Sequence, residues 1–172
     1  MSLVLAFDGK TPRLGRDVFI APNATLIGDI TLGDESSVWF GCVLRADVGF
    51  IRIGARSNIQ DLACAHMTGG VSHVTIGNDV TIGHGAILHG ATIEDECLIG
   101  MGAIVLDDAV IGKGSVIGAG ALVPPRMIIP PGSLALGSPA RVIRSVSESE
   151  RALGLAGAHH YVENAKKYAS IV

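Results

Sequence analysis

The sequence predicts an all-β solenoid, a stack of short parallel strands, followed by a C-terminal α-helix. Three observations lead to this prediction: apolar residues recur every six positions, the chain contains 23 glycines, and aromatic residues make up only 4% of it. No Phe, Trp or Tyr occurs between Ile51 and His160, although a globular core of this size is usually filled with aromatic rings. A narrow core of repeated, nearly identical layers accounts for all three.

The six-residue period runs from residue 14 to residue 130. Its apolar members are, in order, Ile20, Leu26, Leu32, Val38, Leu44, Ile53, Ile59, Ile76, Ile82, Leu88, Ile93, Ile99, Val105, Ile111, Ile117 and Val123. Neither the period of a helix nor the alternation of a single strand produces this spacing. Three hexads make one triangular coil of about 18 residues, so we expect about six or seven coils. Glycine often follows the apolar residue, as in Ile82-Gly83, where we expect the chain to turn a corner.

The chain divides into four segments within one domain. They are an N-terminal segment (1–13), the β-solenoid (14–130), a connecting segment (131–145) and a C-terminal helical segment (146–172). Two proline pairs, Pro124-Pro125 and Pro130-Pro131, are expected to end the strand pattern.

The helical segment carries its own signals. Ser147 with Glu150 three residues later reads as a capping box, and Lys166 lies where a cation favours a helix C-terminus. Gly154 and Gly157 are expected to split the helix in two. We expect it to pack against the coils.

Composition excludes several classes of function. The net charge of −3 and pI near 6.0 argue against a nucleic-acid partner, because phosphate binding needs a concentrated basic face. The longest uncharged stretch, Met127–Ala140, contains three prolines and two glycines and is too short to cross a bilayer. The amino terminus lacks the basic region of a signal peptide. We therefore expect a cytoplasmic protein, with Cys42, Cys64 and Cys97 as reduced thiols.

The break in the repeat brings histidines together. His66 follows Ala65 and His89 follows Leu88, and the two histidines are 23 residues apart. If about five residues around Gly69-Gly70 bulge out as a loop, the remaining 18 equal one coil and the two rings stack on one edge. His84 lies on the same coil as His89. Three converging imidazoles with one open position are typical of a catalytic zinc site; the alternative is separate surface histidines.

Several motifs resemble the γ-class carbonic anhydrase family. They are Ser37–Asp47, Ile53-Gly54, Asn58–Asp61 with His66 five positions later, Gly83–Gly90 and Gly137–Ala140. The resemblance covers nearly the whole chain and is closest to the short bacterial members. It implies a left-handed parallel β-helix of hexapeptide repeats and a homotrimer with a metal ion between each two subunits. It also implies the reversible hydration of carbon dioxide to bicarbonate.

The resemblance implies the metal ligands residue by residue. His66 and His89 of one chain and His84 of its neighbour would bind the metal. Zinc is the expected ion, and iron(II) or cobalt(II) would accept the same ligands. Gln60 matches the family glutamine that orients the hydroxide at the metal, and Tyr161 resembles a tyrosine near the metal in some short members. For Tyr161 a packing role is the alternative.

The charged residues of these motifs also have counterparts in the family. Arg45 and Asp61 match an ion pair between subunits, and Asp47 matches a further polar residue near the site. The alternative for all three is an ordinary exposed salt-bridge patch, which contributes little to stability.

The acidic proton shuttle of the active family members is missing. Val48 stands where they have a glutamate, and the loop Met67–Ser72 contains no acidic residue. His73 is the candidate substitute because imidazole titrates near neutral pH; the alternative is a loop histidine without a role.

Two other functions stay open. One is a hexapeptide acyltransferase, which shares the repeat and a turn like Gly137–Arg141, and the other is a metal-holding trimeric scaffold with little or no hydration activity.

Overall fold

The structure, a computed structural model, describes residues 3–172. Within those residues the chain forms twenty strands and one α-helix. In chain order, β1 to β20 are Leu3–Leu5, Arg13–Leu14, Phe19–Ile20, Thr25–Leu32, Ser37–Val38, Val43–Ile53, Asn58–Ile59, Cys64–His66, Val74–Ile76, Thr81–Ile82, Ile87–His89, Thr92–Ile93, Leu98–Ile99, Ile104–Val105, Val110–Ile111, Val116–Ile117, Leu122–Val123, Ile128–Ile129, Ser133–Leu136 and Arg141–Ser145. The helix, α1, is Glu148–Ala169.

The strands wind into a left-handed β-helix of about seven turns, which confirms the predicted fold class. Each flat face is a ladder of parallel strands in which a residue pairs with its equivalent one coil away. Face A has as its inward residues Leu26, Leu44, Ala65, Leu88, Val105 and Val123. Face B has Leu32, Ile53, Ile76, Ile93, Ile111 and Ile129. Face C has Ile20, Val38, Ile59, Ile82, Ile99, Ile117 and Ala135.

The hexad residues form the core because each points into the narrow prism. All of them except Ile20, which is partly exposed, are buried. Gly83 shows why glycine follows so many inward residues: a Cβ at this position would lie 2.7 Å from the backbone nitrogen of Met101 on the next coil. The requirement at Gly83 is close approach between coils, since its φ is not positive.

The strand pattern continues beyond residue 130, contrary to the expectation from the prolines. β18 pairs with β15, and β19 adds a further parallel strand to face C, with Leu134 opposite Val116. β20 then returns antiparallel to β19. The proline pairs lie in the turns between strands, where a missing N–H breaks no ladder hydrogen bond.

The C-terminal segment forms one continuous helix, so the expected division at Gly154 and Gly157 is wrong. The predicted capping box is present, with Ser147 as N-cap and Glu150 closing it. The helix packs along face C against β3, β5, β7 and β10. This packing, with Ala158 fully buried, outweighs the helix-propensity cost of about 1 kcal/mol per glycine. No helix in residues 3–172 has the length and apolar character that crossing a membrane requires.

Candidate metal centre

His66 and His89 lie side by side at the end of neighbouring strands on face A. Their Cα atoms are register partners in the β8–β11 ladder, and their ring centroids are 5.4 Å apart. The loop after His66 leaves the coil and absorbs the extra residues, as the 23-residue spacing predicts. Both side chains are largely buried, with 20% and 32% of their surface exposed, so two imidazoles share one sheltered edge.

Asp47 borders this pair of histidines. Its Oδ1 lies 3.1 Å from Nε2 of His66, and its Oδ2 accepts a hydrogen bond from Arg45 at 2.5 Å. Burial would raise the pKa of the Asp47 carboxyl, but the hydrogen bonds from Arg45 and His66 lower it below its ordinary value. Asp47 is therefore a carboxylate at neutral pH and gives the edge a negative charge.

Asp107 is a site residue that sequence reasoning missed. Its Oδ2 lies 3.0 Å from Nδ1 of His89, and its Oδ1 accepts a hydrogen bond from the hydroxyl of Ser72. Burial would raise the pKa of this carboxyl, whereas the hydrogen bonds from Ser72 and His89 lower it. A signal was available, because Asp107 follows His89 by 18 residues, one residue more than the 17-residue offset of the β11–β14 ladder. We call His66, His89, Asp47 and Asp107 the first half-site.

His84 lies at the opposite edge of face A, at the corner that leads from face C. Its Nδ1 lies 2.8 Å from Oδ2 of Asp61. The turn at His84-Gly85 and the strand Ile87–His89 separate His84 from His89. The extended part alone spans roughly 10 Å, whereas a zinc–nitrogen bond is about 2.1 Å. Within residues 3–172 no three His, Cys, Asp or Glu side chains are grouped closely enough to hold a metal ion. One chain thus brings together two of the three predicted ligands.

Gln60 accompanies His84. Its side chain is only 7% exposed, and its Nε2 donates to Oδ1 of Asn58 at 3.2 Å, while Nδ2 of Asn58 donates to Oγ1 of Thr81 at 3.0 Å. Gln60 and His84 line one largely apolar groove of about 460 Å³ on face C. We call His84, Asp61 and Gln60 the second half-site.

The charged pair expected from the resemblance has other partners within one chain. Arg45 bonds to Asp47, and Asp61 faces His84 and accepts from the backbone N–H of Phe40. An ion pair between Arg45 of one subunit and Asp61 of another stays a prediction.

Tyr161 projects from α1 onto the core. Its ring packs edge-on against Trp39, with centroids 5.2 Å apart. Burial raises the pKa of the Tyr161 hydroxyl, and the charge of Asp61 raises it further. Tyr161 therefore packs the helix on the coil, and a role near a metal ion stays a prediction.

His73 lies on the far side of the loop. Its ring stacks on Phe50 with centroids 3.9 Å apart, and its Nδ1 accepts from the backbone N–H of Phe50 at 3.3 Å. His73 is exposed.

The three cysteines are free thiols. Cys42 and Cys97 are buried, and burial raises the pKa of Cys42 to about 11 and that of Cys97 to about 12. Cys64 is partly exposed on the outward side of face A.

Known proteins share this sequence and architecture. The family described as bacterial transferase hexapeptide (six repeats) matches residues 11–46 and 90–125. A carbonic anhydrase of Geobacillus kaustophilus is 47% identical over 86% of this chain and 81% of its own length. Gamma carbonic anhydrase 3 of Arabidopsis thaliana mitochondria is 51% identical over 98% of this chain. The chain spans 62% of the length of the related gamma carbonic anhydrase 2.

Solved structures extend the comparison. A Bacillus cereus protein provisionally described as an acetyltransferase has a TM-score of 0.97 at 40% identity, with 99% of both chains covered. A hexapeptide transferase family protein of Anaplasma phagocytophilum has a TM-score of 0.93 at 37% identity, covering 96% of this chain and 98% of its own. From its sequence identity to the named carbonic anhydrases, over most of its length, the chain belongs to the γ-class carbonic anhydrase-like family of hexapeptide-repeat proteins.

Proposed function

We propose that the protein is a homotrimeric γ-type carbonic anhydrase that interconverts carbon dioxide and bicarbonate at a metal ion held between two subunits. The observation that carries this proposal is the division of the candidate ligands into two half-sites at opposite edges of face A. In a closed ring of three copies, the second half-site of one subunit meets the first half-site of the next, which makes three equal sites.

The donor set fits a divalent cation. Three neutral imidazoles with one open position are typical of catalytic zinc, and iron(II) and cobalt(II) accept the same ligands. Nδ1 of His84 faces Asp61 and Nδ1 of His89 faces Asp107, which leaves Nε2 of these two rings for the cation. Nε2 of His66 contacts Asp47, so His66 would offer Nδ1 or exchange that contact for the cation. When bound, such a cation supplies hydroxide at neutral pH by lowering the pKa of a coordinated water to about 7.

The surface of face A supports assembly with further copies of the chain. Five of its outward side chains are apolar: Val43, Cys64, Ile87, Ile104 and Leu122. At the corner beside the groove, Leu62 and Met101 are 71% and 59% exposed. A stripe of this kind between two half-sites is typical of an interface, and pairing it with the groove of a neighbour would remove both apolar surfaces from water.

The chain's own side chains would orient and receive the reactants. The amide nitrogen of Gln60 donates to Asn58, so Oε1 can accept a hydrogen bond from the nucleophile and hold its lone pair towards the substrate. The apolar groove beside Gln60 and His84 suits carbon dioxide, which is small and uncharged. Asp61 and Asp107 hold the imidazoles in place.

Regeneration of the nucleophile requires a proton to reach solvent. Since Val48 and the loop Met67–Ser72 offer no carboxylate, we assign this step to His73. Its Nδ1 accepts a hydrogen bond from Phe50, so His73 would take up the proton on Nδ1 in place of that hydrogen bond, and the imidazolium would release its Nε2 proton to water.

The test is stopped-flow hydration of carbon dioxide by protein of counted metal content, loaded anaerobically with zinc, iron(II) or cobalt(II). The His84→Ala variant removes one proposed ligand. His160→Ala is its matched control, because His160 is an exposed helix residue that contacts Asn164. Hydration that scales with metal occupancy, persists in His160→Ala and disappears in His84→Ala is the expected result.

Two other outcomes identify the alternatives. Full metal occupancy without hydration would assign the site to a metal-holding scaffold. The solved transferase relatives favour testing the acyltransferase as well, and acetyl transfer from an acyl thioester by metal-free protein would identify that activity.

A further inference from the structure

A partly buried polar network lies behind His89. The Asp107 carboxylate, with 24% of its side chain exposed, contacts Nδ1 of His89 through one oxygen and the hydroxyl of Ser72 through the other. Ser72 is only 2% exposed, and its hydroxyl also accepts from the backbone N–H of Thr68 at 3.2 Å. One carboxylate therefore joins a histidine to the loop Met67–Ser72.

This contact selects one tautomer of His89. A carboxylate accepts hydrogen bonds and does not donate them, so Nδ1 carries the proton and Nε2 keeps its lone pair. Histidine ligands are commonly held in this way by a partner on the second ring nitrogen. His66 differs, because its carboxylate neighbour Asp47 faces Nε2.

The backbone at Gly90 leaves space for the contacts among Ser72, Asp107 and His89. Gly90 follows His89 with φ of +68°, and a Cβ at this position would collide with the hydroxyl of Ser72 and with the Asp107 carboxylate. The loop, the carboxylate and the histidine meet where only glycine leaves room.

We propose that Asp107 is a positioning residue that holds His89 in the tautomer able to bind a metal ion and ties the loop Met67–Ser72 to that histidine. The inference rests on the proposed function in taking His89 as a ligand. The position of the loop and the orientation of His89 are coupled, because both depend on the two oxygens of one side chain.

Three variants distinguish the contact of Asp107 with His89 from its contact with Ser72 of the loop. Asp107→Ala removes both, and Ser72→Ala removes only the link to the loop. Asp108→Asn is the matched control: it removes the same charge one residue away, at an exposed position with φ of +59° that asparagine tolerates. The readouts are zinc affinity by chelator competition, the His89 tautomer by ¹⁵N NMR of the metal-free chain, and hydrogen–deuterium exchange at residues 68–72.

Asp107→Ala should bind zinc about 10- to 100-fold more weakly, lose the single His89 tautomer and exchange faster in the loop. Ser72→Ala should accelerate loop exchange while zinc affinity and tautomer stay near those of Asp108→Asn. Zinc affinity within about twofold of the control, together with an unchanged tautomer in Asp107→Ala, would overturn the proposal.

Folding failure and failure of the proposed function give different results. If Asp107→Ala does not fold, Asp107→Asn preserves the shape, and its amide can donate to Nδ1, which should move the His89 proton to Nε2. The tautomer readout needs no metal and no activity. Wild-type protein that binds zinc without hydrating carbon dioxide would refute the proposed function and leave the role of Asp107 in place.

Discussion

A metal site shared between subunits predicts that two defective variants restore each other when their subunits mix. His84→Ala keeps the first half-site and loses a ligand of the second, whereas His66→Ala does the reverse. Neither should bind zinc tightly alone, because every site in either trimer lacks one imidazole. A mixed trimer, however, contains an interface at which an intact His66–His89 pair faces an intact His84.

The size of the recovery follows from the geometry. His66 and His89 are register partners in one chain, so in the proposed site they come from the same subunit, and His84 comes from its neighbour. When equal amounts assemble at random, the subunit that supplies the His66–His89 pair is a His84→Ala chain half the time. Its neighbour is a His66→Ala chain, with an intact His84, half the time, so about a quarter of the sites are restored. Mixing His66→Ala with His89→Ala should restore none, since no subunit then supplies both imidazoles.

The assay is zinc stoichiometry and hydration rate after the variants are unfolded together and refolded, with the mixed trimers counted by native mass spectrometry. Recovery in the His66→Ala and His89→Ala mixture would refute the assignment of both ligands to one chain. Absence of recovery with His84→Ala and His66→Ala, although mixed trimers form, would refute the shared site.

Three further predictions concern the fold and its titrating groups. Ile99→Ala leaves a cavity between coils at a fully buried position and should lower the free energy of unfolding by about 2–5 kcal/mol in urea titration; a change below about 1 kcal/mol would contradict the packing. Burial raises the pKa of Cys97 to about 12, so dithionitrobenzoate near pH 8 should label it only after unfolding, and rapid labelling of the native protein would count against its burial. Burial would raise the pKa of the Asp29 carboxyl, but the hydrogen bond from Arg52 lowers it below its ordinary value. Its stabilisation is therefore present above about pH 4 and fades at lower pH, so unfolding curves of Asp29→Asn should approach those of wild type in acid; a constant difference would refute this.

The repeat made much of the fold predictable. In a β-helix the long-range neighbours of a residue lie one coil away, so contact in space becomes a fixed interval in the sequence. For that reason the stacking of His66 on His89 could be foreseen once the loop was subtracted, and the same interval would have led to within one residue of Asp107.

Other features depend on packing that no interval encodes. Whether Gly154 and Gly157 interrupt α1 depends on the surface of face C against which the helix lies. The strand β19 forms beyond the prolines because it pairs with β16 at the end of the face C ladder, where Leu134 lies opposite Val116.

The sequence by itself determined the period, the stacking of coils and the types of side chain at the site, because inward apolar residues and close-packed glycines recur at regular intervals. Only the tertiary structure decided how the site is divided, with His84 across a face from His66 and His89 and a carboxylate behind each of His84 and His89. The physical reason is that each imidazole lies at a corner of the coil or beside the loop. The orientation of its ring there depends on local backbone contacts and hydrogen bonds, which the six-residue repeat does not encode.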